Sequence, residues 1–197
     1  MVEDCRSEVI DCEVAAVQPE VLDGEAAAAK PEAADGEAAA VKPEVLVSAC
    51  LLGAPCRFDG GSKPCEAVGR LRQLFDLVLI CPEVAARLPI PRTPSERDMV
   101  TGGTRVMASD GEDRTEAFVM GVRKTLEVAS NHRAKLCVLK AKSPACGVGR
   151  VYDGTFTGTL VPGWGVAAEA LRDAGYTCIT EADVERLSVQ ELLELAC

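Results

Sequence analysis

Three cysteines stand where an α/β protein keeps its chemistry. Cys50 lies in Ser48-Ala-Cys-Leu-Leu-Gly53, Cys81 in Ile80-Cys-Pro-Glu83 and Cys146 in Ser143-Pro-Ala-Cys-Gly147. Each follows a short apolar run with β-branched residues, at 44–49, 75–80 and 134–139. As parallel strands these runs would deliver the thiols to one edge of a sheet, the edge where open α/β folds bind ligands. Neighbouring strands are only about 4.8 Å apart, so sulfurs from three separate loops can converge. Three thiolates on a [4Fe–4S] cluster leave one iron without a protein ligand, whereas most electron-transfer clusters use four cysteines. Such an open corner would favour a soft, sulfur-bearing substrate. Cys56 as a fourth ligand would close the site. A zinc ion, or thiols merely packed in a core, fit the same spacing.

Positioning these residues requires alternating strands and helices. A fourth strand is expected at 176–180, and helical stretches at 64–73, 112–130 and 165–174, the last ending at Gly175. Segments 181–187 and 188–195 read as small acidic helices, with Ser188-x-x-Glu191 as a capping box. The fold class is therefore α/β, a single Rossmann-like domain with a mostly parallel sheet flanked by helices. The domain is expected over 45–187, with 188–197 a short C-terminal helix.

Residues 1–44 differ in kind. Pro19, Pro31 and Pro43 recur every 12 residues in an Ala- and Glu-rich repeat without aromatics. Pro and Gly interrupt each Ala run, so a disordered acidic tail is expected. The formal net charge is -10. Nearly all of it lies in the first 45 residues, with 12 acids against 3 bases, while the remainder holds 19 acids and 18 bases. That balanced body has no basic stripe, which excludes a duplex nucleic-acid binder. No apolar run reaches the roughly 18 residues of a membrane helix. The N-terminus shows neither a signal peptide nor a transit peptide pattern, so a cytoplasmic location is expected. The ten cysteines then belong to metal, catalysis or burial, not to disulfides. The single histidine, His132, excludes multi-histidine metal sites and sits at a helix end on the surface.

Several polar residues have two readings. Glu83 can cap a helix starting near Val84, or act as an acid or base. Ser143 before Pro144 can be a turn residue. Arg57 and Asp59 form a local pair, or Arg57 faces a substrate. Arg92 and Glu96 are expected as a structural ion pair. Cys65, Cys137 and Cys178 suit packing. Trp164 either walls a pocket or anchors the helix that follows it. The glycine-rich stretch from Gly147 to Gly165 lacks any phosphate-loop or dinucleotide fingerprint.

Val47-Ser-Ala-Cys-Leu-Leu-Gly-Ala-Pro-Cys-Arg-Phe-Asp-Gly-Gly61 resembles the opening motif of the family known as domain of unknown function 523 (DUF523). Ile80-Cys-Pro-Glu83, Pro91-Arg-Thr-Pro-Ser-Glu96, Ser143-Pro-Ala-Cys-Gly147 and Tyr152-Asp-Gly-Thr-Phe-Thr-Gly158 resemble its later motifs, in order. The resemblance covers about residues 45–183. The family includes desulfidases that use a [4Fe–4S] cluster to turn 2-thiouracil into uracil and hydrogen sulfide. It implies Cys50, Cys81 and Cys146 as cluster ligands, one iron without cysteine, and Glu83 and Ser143 as catalytic residues. Cys56, Arg57 and Asp59 would then stand behind the cluster or face the substrate, a small thiolated heterocycle. A non-catalytic zinc or iron–sulfur module and a cysteine-persulfide sulfur carrier are the competing functions. The oligomeric state is not legible in the sequence.

Overall fold

Glu44–Ser48 forms the first strand, β1, because its apolar side chains serve both faces of a sheet. Val45 and Val47 enter one hydrophobic core and Leu46 the other. The computed structural model describes residues 42–102 and 104–197. Residues 1–41, most of the expected acidic tail and of its repeat, lie outside the described residues.

Strand β2 (Asp76–Ile80) pairs with β1 in parallel, Val47 opposite Leu79. Two three-residue strands, β3 (Ser95–Arg97) and β4 (Val106–Ala108), make an antiparallel hairpin. Strand β5 (Leu136–Leu139) returns to the main sheet, parallel to β1 on its other side. A second hairpin follows, β6 (Arg150–Tyr152) with β7 (Leu160–Pro162). Strand β8 (Thr177–Thr180) completes the main sheet beside β5. Its order is β2-β1-β5-β8, all parallel. The chain runs outward from β1 first in one direction and then in the other. The crevice at the carboxyl ends of β1 and β5 is thus a topological switch point, the ligand position of doubly wound sheets.

Helices cover both faces. Helices α1 (Glu66–Arg70), α5 (Glu181–Arg186) and α6 (Val189–Ala196) place Val68, Val184, Leu192 and Ala196 against Val45, Val47, Leu136 and Val138. Helices α3 (Thr115–Asn131) and α4 (Val166–Asp173) place Phe118, Ala129, Ala168 and Leu171 against Leu46, Cys137 and Leu139. The alternation along each strand is the two-residue period of a sheet buried on both sides. Both terminal helices are held by capping boxes, Thr180 with Asp183 and Ser188 with Glu191.

The four parallel strands and the main helices fall where the apolar pattern puts them. The two hairpins do not follow from it. Ser95–Arg97 has no apolar alternation, yet Glu96 and Arg97 are buried. They are accommodated by hydrogen bonds to distant segments, a signal that hydrophobic periodicity does not carry. The short helix α2 (Pro82–Ala85) directly follows β2, with Pro at its first turn.

Candidate active site

Every strand of the main sheet that precedes a motif cysteine ends at the same cavity. Its volume is about 420 Å³, and its wall includes Cys50, Cys56, Cys81 and Cys146. Glu83, Ser143 and Arg57 line it as well. Asp59 does not; it pairs with Arg57 at 3.2 Å, which holds its carboxyl below the usual carboxylate range.

Local backbone geometry explains how each thiol is fixed. After β1 the chain makes a single 3-10 turn, Ala49–Leu52, ending at Gly53 with a left-handed φ of 94°. The Cys50 carbonyl accepts from Lys63 N at 2.9 Å, which folds the 54–63 loop back over the turn. That loop carries Cys56 to the cavity, within hydrogen-bonding reach of both Cys50 and Cys81. The contact with Cys50, together with burial, raises the Cys56 thiol above its ordinary value. Cys81 is the residue before α2, and its Sγ donates to the Cys56 carbonyl at 3.8 Å. Contact with Cys56 and burial push the Cys81 thiol strongly upward.

Cys146 sits in a turn built by Ser143. The Ser143 hydroxyl accepts from Ala145 N and Cys146 N, both at 3.1 Å. With both lone pairs occupied, that hydroxyl has only its proton left to offer. The turn is clamped to the start of α4, where Ala167 N donates to the Ala145 carbonyl at 2.9 Å. Gly165 permits that approach: a Cβ there would lie 2.5 Å from the Ala145 carbonyl. Burial pushes the Cys146 thiol up to about 12, while hydrogen bonds from the Ser48 and Ser143 hydroxyls oppose the rise. Ser48 also ties two strands together, accepting from Lys140 N at 3.0 Å.

Glu83, in the first turn of α2, is not free to swing. Arg92 Nε donates to its Oε2 at 2.7 Å, in a pair almost withdrawn from solvent. Arg92 therefore pairs with Glu83 and not with Glu96, which corrects the expected Arg92–Glu96 bridge. The same guanidinium donates to the Pro89 carbonyl at 3.1 Å and the Cys56 carbonyl at 2.9 Å. Its reach from α2 to the Cys56 loop is something a residue pair four apart could not offer. Arg92, Ser48, Glu96 and Lys142 are cavity residues that sequence reasoning did not assign to the site. The only available signal for them was membership of the quoted motifs, and Lys142 lacks even that.

The remaining candidates lie elsewhere. Cys137 and Cys178 face each other across β5 and β8 and touch the α4 core. Trp164 stacks under Arg172 at 4.8 Å and does not line the cavity. His132 caps the end of α3 and bonds Glu44 at 2.9 Å. Cys5 and Cys12 lie outside the described residues. The donors at the cavity are thus four thiols and the carboxylates of Glu83 and Glu96, with no imidazole among them. Among the described residues no three Cys, His, Asp or Glu side chains crowd about one point as a single metal ion requires. Spread around a cavity, the soft donors suit a polynuclear thiolate-bound group better than a lone zinc.

Fold and site together define a doubly wound α/β protein whose ligand crevice is built from thiols and a clamped carboxylate. The chain belongs to the 2-thiouracil desulfurase family, whose model matches residues 45–183. The uncharacterised protein YbbK of Bacillus subtilis (strain 168) is 37% identical over 146 residues, covering 71% of this chain and 97% of that protein. A solved structure, described as the [4Fe-4S]-dependent thiouracil desulfidase TudS (DUF523Vcz), is 36% identical with a TM-score of 0.70. That match covers 77% of this chain and 99% of the other. Among the described residues, no helix is long and apolar enough to cross a membrane.

Proposed function

We propose that this chain is a [4Fe–4S]-dependent desulfidase that converts 2-thiouracil to uracil and hydrogen sulfide. One observation carries the reading. Three motif cysteines, a clamped glutamate and a donor-only serine line a single cavity in a member of the 2-thiouracil desulfurase family. Cys50, Cys81 and Cys146 would hold the cluster, leaving one iron without cysteine. When bound, that cluster supplies a soft Lewis acid with affinity for a thiocarbonyl sulfur.

The chain's own residues do the rest. Arg92 fixes Glu83 Oε2 and leaves Oε1 without a partner among the described residues. Glu83 takes a proton from the water that adds to the thiocarbonyl carbon, and as the new carbonyl forms both protons of that water leave with the sulfur as hydrogen sulfide. Ser143, its lone pairs occupied, turns its one proton from Cys146 to the ring, or relays it. Water supplies the new oxygen, the C–S bond breaks, and no electrons are gained or lost. Arg57 and Lys142 line the cavity, and Asp59 holds Arg57 in place. Cys56 packs between two ligand thiols and braces the Arg92 contact through its carbonyl.

Anaerobic reconstitution with iron and sulfide, followed by 2-thiouracil, tests this directly. The expected result is visible cluster absorbance and sulfide release. Cys50→Ala, Cys81→Ala and Cys146→Ala each lose both, and Cys56→Ala keeps the absorbance. A loaded protein that releases no sulfide would be a binding module. A protein that loads no iron but carries a persulfide would be a sulfur carrier.

A further inference from the structure

The cavity holds a second carboxylate that the mechanism above does not use. Glu96, on β3, lines the cavity and is nine-tenths buried. Its Oε2 accepts from Gly154 N and from Phe156 N, both at 3.0 Å. Its Oε1 has no hydrogen-bond partner among the described residues, yet it is not sealed away as a buried orphan atom. On a side chain that lines the cavity, that oxygen is the polar atom left for a ligand. The arrangement repeats that of Glu83: on two residues of the same cavity wall, one oxygen is tied down and the other has no partner among the described residues.

The anchoring is rigid at both ends. The loop that Glu96 holds carries left-handed residues at Gly154 (φ 95°) and Phe156 (φ 58°). A Cβ on Gly154 would lie 2.9 Å from the Arg97 carbonyl, so the loop lies flush against the end of β3. Two amide donors on one oxygen orient the carboxylate plane and hold Oε1 still. A fixed, unpaired acceptor in a mostly buried wall selects a ligand that brings its own donor, because a ligand without one leaves the oxygen desolvated and unmatched. 2-Thiouracil has ring N–H groups on both sides of its thiocarbonyl.

We infer that Glu96 is a substrate-positioning residue whose Oε1 accepts a ring N–H of the pyrimidine, so that the site discriminates against substrates methylated at that nitrogen. The inference rests on the desulfidase reading and deepens it. Glu83 then handles the proton chemistry, while Glu96 sets the orientation of the ring.

Calorimetry on the anaerobic, cluster-loaded protein tests it, using the reaction product uracil with 1-methyluracil and 3-methyluracil. Wild type should bind one of the methylated rings at least about tenfold more weakly than uracil. In Glu96→Gln the amide oxygen can still accept both loop amides, but an NH₂ donor replaces the free acceptor. Uracil should then bind about tenfold more weakly, and the methyl penalty should vanish, with melting temperature and visible spectrum unchanged. Glu96→Asp, which keeps the charge but withdraws the oxygen, should shrink the same ratio and serves if the Gln variant fails to fold. Equal binding of all three rings by wild type overturns the proposal, as does an unchanged methyl penalty in the variants. Sulfide release from 2-thiouracil by wild type separates the two failures. Release without a methyl penalty removes Glu96 alone; no release and no uracil binding removes the desulfidase reading with it.

Discussion

Arg92 and Glu83 are joined at 2.7 Å, and the same guanidinium reaches the carbonyl of Cys56 at 2.9 Å. One side chain thereby sets the distance between the proposed proton-transfer residue and the loop that follows Cys50. Lysine cannot span the three acceptors that arginine meets here. Arg92→Lys should lower kcat by about 100-fold through misplacement of Glu83, with the cluster spectrum retained. Arg92→Met removes one partner of a buried pair and should cost about 3–5 kcal/mol in urea denaturation. A Lys variant with wild-type turnover would remove the positioning role.

Glu83 and Ser143 should fail in different ways. Glu83→Gln removes the base and leaves every cysteine in place, so iron and sulfide content stay normal while kcat falls about 10²–10⁴-fold. Ser143→Ala releases Ala145 N and Cys146 N, which the hydroxyl now fixes. That variant should lose iron content as well as turnover. Metal analysis beside a sulfide assay distinguishes the two.

Gly121 on α3 faces α2 at van der Waals contact. A Cβ there would lie 2.4 Å from the Pro82 carbonyl, which is backbone and cannot rotate away. Gly121→Ala should destabilise the protein by about 1–3 kcal/mol, the usual cost of overpacking. Because Pro82 stands between Cys81 and Glu83, the same change should lower turnover. Chemical denaturation and steady-state kinetics on one sample read both effects.

The entry to α3 gives a pH signature. Thr115 donates to Asp113, its amide at 2.9 Å, and Arg105 approaches at 3.0 Å. The Thr115 contacts, aided by Arg105, hold the Asp113 carboxyl down at about 2. A folded-state value below the unfolded one stabilises the protein fully above about pH 4. The contribution is lost as pH falls through about 2. Asp113→Asn should lower the melting temperature at pH 7, and the difference from wild type should close between about pH 4 and pH 2. A gap that persists at pH 2 would show that the charge contributes nothing.

Much of this architecture was legible because apolar runs announce strands. The stretch around Val45 and that around Val138 each bury both faces of a sheet, and a cysteine follows each at the edge where ligands bind. The position of the site followed from that topology. Its polar partners did not. Arg92, Glu96 and Ser48 are buried and matched by groups far away in sequence, and neither spacing nor hydropathy encodes which distant carbonyl or amide will meet them. The expected Arg92–Glu96 bridge illustrates the error. Proximity in sequence suggested a partnership, whereas Arg92, ahead of β3, turns to Glu83 on α2, and Glu96, on β3, meets the 154–156 loop.

The two hydrophobic layers meet at the cavity: Cys50 and Cys56 are rooted in one, Cys146 in the other. Neither layer contains the cavity within itself. A repacking event beneath either blanket of helices would therefore shift sulfurs relative to one another without touching a single residue of the wall. Tuning of the centre is in this sense bilateral: mutations far apart in sequence and on opposite sides of the sheet can offset one another, so variation at α1 and at α4 should be correlated through the geometry they jointly impose.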